Sequence, residues 1–372
     1  MAERFSLKDH LFNPETVGRL GGHFEAAGVF KAAPFVADVL AEMGPLELKA
    51  RINLIAEVLE RYLPGDFQAA ADAINAALPP PLDPTLTDDD FGHFIYAPLG
   101  VYVENHGLED HLELSLTTLE AATQRFSMEF SIRAFLNRWQ DATLERMQDW
   151  VHHDHYHVRR LVSEGTRPKL PWGQAVGLTT AQTLPLLDQL HGDPTRFVTR
   201  SVANHLNDIT KKEPDAVIAR LSAWQSADRQ NEKELAWMRK HALRGLIKAG
   251  DRAALLHLGY RPDVAVTVSD FGITPDALAR GDSAEVAMTI EVKKDAPLIV
   301  DYVIDFVKAN GSTAPKVFKM KVFDANAKAP VNLRKKHVFK DNATTFTLYP
   351  GPHKLHAQVN GRIVASAAFD LT

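Results

Sequence analysis

Between Trp150 and Trp172 the chain reads WVHHDHYHVRRLVSEGTRPKLPW, a stretch that gathers carboxylates, arginines, histidines and indoles. Leu144, Met147, Val151, Val158 and Leu161/Val162 have the spacing of one helix face, interrupted by a polar patch at Asp154 and His155. Arg159 and Arg160 follow, and Glu164 stands beside Gly165, where the helix is expected to end. A carboxylate in the last turn faces the negative end of the helix dipole and costs a few tenths of a kcal/mol or more. Such a cost is tolerated where the carboxylate does chemistry or holds a cation. The run TRPKLPW is expected to be extended, because residues before proline are steered away from helix. It delivers Trp172, whose indole could anchor a core, stack on a base or meet a cation face-on.

Two further acids have unusual surroundings. Glu129 lies in RFSMEFSIRAFL, four residues before Arg133, as an i,i+4 ion pair would. Phe126, Met128, Phe130 and Ile132 flank it, so the acid is expected to be buried with a partner or held at a pocket wall. In RSVANHLNDITKKEPD, Val202, Leu206 and Ile209 form a packed stripe that places Asn204, His205 and Asp208 on the other face. Arg200 stands at the start of that segment and Lys211-Lys212 at its end; the set is either a structural polar network or a site.

Three other groups have chemistry open to them. His153 and His157, four apart on one helix, could be two metal ligands, or simply polar contacts. Asp88-Asp89-Asp90 could chelate or cap. In LRKKHVFKDN, Arg334, Lys335, Lys336 and His337 sit with Phe339 and Lys340, either as a basic strand edge that resists aggregation or as a loop that meets phosphate.

The elements that must position these groups are of two kinds. Residues 14–78 read as helices, opened by the Asn13-Pro14-Glu15 cap and stopped at PPPLDP. The segment TLTDDDFGHFIYAPLGVYVENHG is expected to cross helix ends as an aromatic-rich loop. From about residue 109 to 258, helix-start signals stand at Leu108-Glu109, Thr179-Thr180, Asp193-Pro194, Glu213-Pro214 and Asp251, and Glu120 to Arg138 is periodic. Antiparallel helices of about 12 to 20 residues, paired every ~35 to 40, indicate a HEAT-like α-solenoid. At Tyr260-Arg261-Pro262 the pattern changes to period two. VAVTVSD, AEVAMTIEV, PLIVDYVIDFV, KVFKMKVF, TTFTLYP, HKLHAQV and RIVASAAFDL read as seven strands, with turns at Asn310-Gly311, Asp341-Asn342, Pro350-Gly351 and Asn360-Gly361. The expected fold is mostly α: a HEAT-like α-solenoid over residues 1–260, then an immunoglobulin-like β-sandwich over 262–372.

Composition narrows the classes further. The 372 residues include no cysteine, which excludes disulfides and cysteine-based metal or redox chemistry. The opening MAERFSLKDHLF has no apolar h-region, and no apolar run approaches the roughly 18 to 20 residues of a membrane span, so a cytoplasmic protein is expected. The net charge of -5 hides an asymmetry. Residues 1–125 carry 8 Lys and Arg against 20 Asp and Glu, residues 126–261 carry 20 against 15, and residues 262–372 carry 14 against 12. A polyanionic partner is therefore compatible with the acidic whole.

Together these stretches resemble the AlkC branch of the HEAT-like-repeat DNA glycosylases, bacterial enzymes that excise alkylated bases. FSLKDHLFN, LELKARINLIAEVLERYLP, LPPPLDPTLTDDDFGHFIYAPLG, RFSMEFSIRAFL, VRRLVSEGTRPKLPW and RSVANHLNDITKKEP carry the resemblance, and YPGPHKLHAQVNGR is similar to the family's immunoglobulin-like module. It spans nearly the whole chain; the HHDHYH run departs from it in being richer in histidine. The resemblance implies hydrolysis of the N-glycosidic bond of cationic bases of the 3-methyladenine and 3-methylcytosine type in duplex DNA. It implies Glu129 and Asp208 as catalytic carboxylates with Glu164 close by, and Trp172 as an aromatic wall. Arg159, Arg160, Arg167, Arg200, His205, Lys211 and Lys212 would then face DNA, as would Arg334, Lys335, Lys336 and His337 in a clamping β module. No metal or organic cofactor is required, the partner is double-stranded DNA containing alkylated bases, and no membrane or obligate protein partner is implied. Two other classes stay open: a non-catalytic HEAT solenoid that binds DNA or protein, and a metal-dependent hydrolase built on His153 and His157.

Overall fold

The structure is a computed structural model and describes residues 6–341 and 347–372. Sixteen α-helices occupy the described residues before the strands. The first eight are α1 (Leu7–Leu11), α2 (Pro14–Ala26), α3 (Ala32–Met43), α4 (Leu48–Tyr62), α5 (Phe67–Ala77), α6 (Ala97–Gly107), α7 (Leu112–Thr123) and α8 (Ile132–Arg138). Then come α9 (Gln140–Trp150), α10 (Tyr156–Gly165), α11 (Thr180–Leu190), α12 (Arg196–Ile209), α13 (Pro214–Ala227), α14 (Glu232–Ala242), α15 (Arg244–Ala249) and α16 (Arg252–His257). The chain divides into two compact units, Met1–Lys212 with Ala223–Ala242, and Glu213–Ser222 with Leu243–Thr372.

The helix starts follow local chemistry. Asn13 caps α2 and closes a capping box with Thr16, Thr179 and Gln182 do the same for α11, and Asp66 and Asp251 cap α5 and α16. Many of the helices are shorter than the 12 to 20 residues expected, and the longest described one has 15. Two runs of continuous period are broken. The face through Met147, Val151 and Val158 belongs to two helices, because His153 Nδ1 accepts the N–H of His155 and His155 Nδ1 accepts that of His157. Those side-chain bonds occupy donors that a continuing helix would give to carbonyls. His153 and His157 therefore do not share a helix face. Likewise α7 stops at Thr123 and α8 starts at Ile132, which leaves Glu129 in the turn between them.

The loop after α5 crosses helix ends only as far as His93, which corrects the expectation: Phe94–Tyr96 is a helical turn, and the expected loop residues Ala97–Gly107 form α6, with Pro98 in its first turn. Leu82 N–H donates to the Gln124 carbonyl, and the Thr87 carbonyl accepts from Phe197 N–H at the start of α12. His155 and His157 bond the carbonyls of Leu82 and Asp90 at 3.0 and 2.9 Å. The histidine run thus pins this loop to the N-terminus of α10. Asp88 of the acidic triplet is ion-paired with Arg200.

The second unit contains a sandwich of two sheets. The strands are β1 (Val266–Thr274), β2 (Ala277–Leu278), β3 (Ser283–Val292), β4 (Ala296–Val307), β5 (Thr313–Ala325), β6 (Val331–Val338), β7 (Gly351–Val359) and β8 (Arg362–Leu371). One sheet has the order β1-β3-β6 and the other β2-β8-β7-β4-β5. Val286 from the first and Tyr302, Ile304 and Leu355 from the second meet in one buried cluster. Asn360-Gly361 forms the two-residue hairpin between β7 and β8, with φ of 45° and 79°, as this turn requires. A Cβ on Gly361 would stand 2.6 Å from the Gly250 Cα, so the site also demands glycine for space. Residues 342–346, which include Asn342 and part of the expected strand TTFTLYP, lie outside the described residues. In the 334–340 segment residues up to Val338 form the edge strand β6, which agrees with the strand-edge reading and corrects the loop reading. Its Arg334-Lys335-Lys336 run hides the alternation, which survives only in buried Leu333 and His337.

Candidate active site

The three singled-out acids converge although they come from three elements. On α12, Ser201, His205 and Asp208 recur at i, i+4 and i+7, share a face and are all buried. On α10, Arg160 and Glu164 are i,i+4, and Arg167 follows one turn later. Glu129 arrives from the turn before α8 and accepts from Arg160 Nη1 at 2.7 Å and Ser127 Oγ at 2.9 Å. Arg160 Nη2 lies 3.5 Å from Glu164 Oε2. Glu164 accepts from Arg167 Nη1 at 2.5 Å and Ser201 Oγ at 2.6 Å. Arg167 Nε then donates to Asp208 Oδ2 at 3.0 Å, and Lys211 Nζ to Asp208 Oδ1 at 3.1 Å. Glu129, Arg160, Glu164, Arg167 and Asp208 form one row of alternating charge.

Burying an ion costs several kcal/mol, so a row of this kind contributes fixed geometry more than net stability. Burial works to raise the Glu164 carboxyl, yet the Arg160 and Arg167 charges and the bonds from Ser201 and Arg167 outweigh it and hold the group below the usual carboxylate range. Arg160 also lies 4.5 Å over the Phe197 ring, a cation–π contact that seats the guanidinium.

Arg133 does not pair with Glu129, as their spacing suggested. It is buried and donates to the carbonyls of Gln174, Gly165 and Arg167 at 2.5, 2.8 and 2.9 Å. Two of these carbonyls lie at or just past the C-terminus of α10, where a helix leaves carbonyls without partners. Arg133 thereby fixes the segment that carries Trp172. Trp172 is 63% exposed, so it is not a core anchor. Its φ of 64° is in the left-handed region, a conformation that costs a non-glycine residue about 1 kcal/mol or more. Its carbonyl accepts from Lys49 Nζ at 3.3 Å. The indole borders a cleft of about 400 Å³ with Ile52, Phe94, Met128, Phe130 and Ser131, so the cleft shares its wall with the turn bearing Glu129.

Several residues expected at a DNA surface are instead engaged inside the unit. Arg159 bonds Asp193 Oδ2 at 2.6 Å and the carbonyls of His153 and Asp154, tying the α9–α10 break to the start of α12. Arg160 and Arg167 serve the carboxylate row, with side chains only 16% and 11% exposed. His205 is fully buried against the Ser163 carbonyl at 3.0 Å, and His337 is buried against the Tyr302 hydroxyl at 2.9 Å. Arg167, His205 and His337 are corrections, because they are buried and a phosphate cannot reach a group without surface; Arg159 and Arg160 are half-buried and committed to carboxylates. Arg200 is half-buried with Asp88, while Lys211 and Lys212 are exposed. Arg334, Lys335 and Lys336 are also exposed; Arg334 pairs with Glu285, and Lys335 Nζ reaches the Lys319 carbonyl at 2.7 Å. Ser127 and Ser201, which orient two of the acids, were not singled out in the sequence. Ser201 had a signal, its seven-residue spacing from Asp208. Among the described residues no three His, Asp or Glu side chains converge as a metal set.

Burial pushes His157 down to about 3, and His205 and His337 each down to about 4, from an ordinary 6.5. These imidazoles stay neutral in the fold and take up protons on unfolding below about pH 6.5. Their contribution is present above that pH and is lost as pH falls toward 4, at up to about 1.4 kcal/mol per pH unit for each fully differential proton. Urea unfolding is therefore expected at lower denaturant at pH 5 than at pH 7.5. Equal midpoints would show that these histidines do not govern acid stability.

Comparison with known proteins gives three findings. A family profile described as "DNA alkylation repair enzyme" matches residues 117–246, and one described as "Uncharacterised protein YhaZ, C-terminal Ig-like domain" matches residues 267–372. The uncharacterised protein YhaZ of Bacillus subtilis (strain 168) is 32% identical over 97% of this chain and 98% of its own. The solved structure of Pseudomonas fluorescens alkylpurine DNA glycosylase AlkC, bound to DNA containing an abasic site analog, is 33% identical, covers 99% of this chain and 100% of that one, and superposes with a TM-score of 0.88. No described helix is long and apolar enough to cross a membrane. The chain, a HEAT-like helical array followed by an immunoglobulin-like β-sandwich, belongs to the AlkC branch of the HEAT-like-repeat alkylpurine DNA glycosylases.

Proposed function

We propose that the protein hydrolyses the N-glycosidic bond of cationic N-alkylated bases, of the 3-methyladenine and 3-methylcytosine type, in duplex DNA. The observation that carries the reading is the alternating row from Glu129 to Asp208, whose Glu129 is bonded by Ser127 from the wall of the cleft that the exposed Trp172 borders. An alkylated base carries positive charge and leaves as a neutral group, so strong general-acid help is unnecessary. Positive charge then passes to the deoxyribose in an oxocarbenium-like transition state. Carboxylates fixed before the reaction stabilise that charge without reorganising, and one of them orients the attacking water. Glu129 and Asp208, at the ends of the row, are the groups that meet the substrate. Glu164, the most buried of the three acids, sets the two arginines between them. The Trp172 indole offers its face to the cationic base. The likeness to AlkC in sequence and fold supports DNA as the partner, and the work of such an enzyme lies in the cytoplasm, at the nucleoid.

Release of methylated bases from alkylated duplex DNA, in the presence of EDTA, tests the reading by comparing wild type with Asp208→Asn. Release that the variant loses supports a glycosylase acting at this row. No release by wild type, alongside salt-sensitive DNA binding, would leave a helical array that holds DNA without cutting the bond.

With Arg167, His205 and His337 buried, Lys335 and Lys336 on the β6 edge gain weight. Lys335→Ala with Lys336→Ala is expected to weaken DNA binding and flatten its salt dependence, by roughly 0.9 in slope for each phosphate that the variant no longer neutralises. An unchanged slope would mean that this edge does not touch phosphate.

A further inference from the structure

A second basic cluster in the helical unit uses none of the residues of the carboxylate row. A cavity of about 270 Å³ takes its polar lining from Arg19, His23, His93, Tyr96 and Arg125, and none of its lining residues is acidic. Residues 1–125 hold only 8 Lys and Arg against 20 Asp and Glu, so a cavity whose ionisable lining holds arginines and histidines but no carboxylate runs against that composition.

The polar lining groups come from three elements, and those of the first two are linked in pairs. On α2, Arg19 and His23 are i,i+4 and share a face. Arg19 Nη1 lies 3.0 Å from His93 Nδ1, and His23 Nε2 lies 3.1 Å from the Tyr96 hydroxyl. Arg125 enters from the end of α7. Its Nε and Nη1 donate to the carbonyls of Pro79 and Ala121 at 2.6 and 2.9 Å, which fixes the guanidinium plane and uses two of its five donors. The charges there are poorly compensated. Arg19 pairs with Glu15 at 3.3 Å, but that carboxylate is 83% exposed and such a rim pair is weak. Burial pushes the Arg125 guanidinium down, with only the Tyr96 phenol acting to raise it. Burial also pushes His23 down, and the neighbouring Arg19 and His93 add to it. Burial raises the Tyr96 hydroxyl, while both Arg19 and Arg125 act to lower it. A partly enclosed set of cations without an anion is unfavourable, and an anion would relieve it.

We propose that this cavity is a phosphate site, taking either a backbone phosphodiester of DNA or a free phosphate monoester. Two guanidinium groups, imidazoles and a phenol hydroxyl approach from α2, the Phe94–Tyr96 turn and the end of α7, which suits the several oxygens of a tetrahedral oxyanion. The site lies outside the reading of the carboxylate row, and binding there is measured without catalysis.

The test follows the ring signals of His23 and His93 by NMR in the full chain, titrated with inorganic phosphate at constant pH and ionic strength. A saturable shift of these signals is expected, weakened at least tenfold in Arg125→Gln and in Arg19→Gln. Because Arg125 holds two carbonyls, the second variant, at a one-third exposed side chain, separates a binding defect from a folding defect. If a short DNA duplex also moves the signals and phosphate competes with it, the natural ligand is a backbone phosphodiester. If the duplex leaves them unmoved while phosphate shifts them, the ligand is a free phosphate group. No shift with either, or shifts of equal affinity in both variants, overturns the proposal.

Discussion

Glu129→Gln and Asp208→Asn are each expected to lower release of methylated base by at least ~100-fold, about 2.7 kcal/mol of transition-state stabilisation. The amides keep the size of the side chains, so the packing around Ser127 and Arg160, or around Arg167 and Lys211, changes little. What they remove is the negative charge that meets the developing charge on the sugar. The substitutions also leave one guanidinium with a single carboxylate in place of two, so thermal melting of both variants is needed to separate folding from chemistry. Single-turnover excision at saturating enzyme isolates the bond-breaking step from DNA binding. Wild-type-like release by both folded variants would remove these acids from the mechanism.

Arg167→Met is expected to destabilise the helical unit by about 3 to 5 kcal/mol, the usual effect of removing one partner from a buried ion pair. The guanidinium is bonded to Glu164 at 2.5 Å and to Asp208 at 3.0 Å, and both acids would be left buried beside an apolar side chain. Urea unfolding of the variant measures the loss, and a change below about 1 kcal/mol would show that the row relaxes or admits water. The same variant separates this role from phosphate binding. Where the variant is folded, its DNA affinity is expected to keep the wild-type salt slope, because an internal arginine releases no counterion. A slope reduced by about 0.9 would put Arg167 on the DNA.

Much of the architecture was legible because local rules and packing agree there. Asn13-Pro14 and Thr179 start helices, Asn360-Gly361 turns a hairpin, and period two marks most of the strands. Failures occurred where side chains replaced backbone partners. The histidines of the HHDHYH run take the N–H groups that would have continued α9 into α10. In β6 the charges of Arg334, Lys335 and Lys336 mask an alternation that an edge strand needs only on one side.

The sequence by itself determined the two kinds of element, the absence of cysteine chemistry, and which acids stand in unusual company. Glu129, Glu164 and Asp208 were each marked by a local conflict: an apolar setting, an unfavourable helix end, and a polar stripe on a packed helix. Only the tertiary structure decided what answers those conflicts. A guanidinium's partner is chosen by distance in space, and spacing along one helix says nothing about a carboxylate on another. Thus Glu129, spaced to pair with Arg133 four residues on, is held by Arg160 from α10, while Arg133 turns to the carbonyls that hold the Trp172 segment. Burial likewise arises only when α10 and α12 pack, and it moved Arg167 and His205 from an expected DNA surface into the interior.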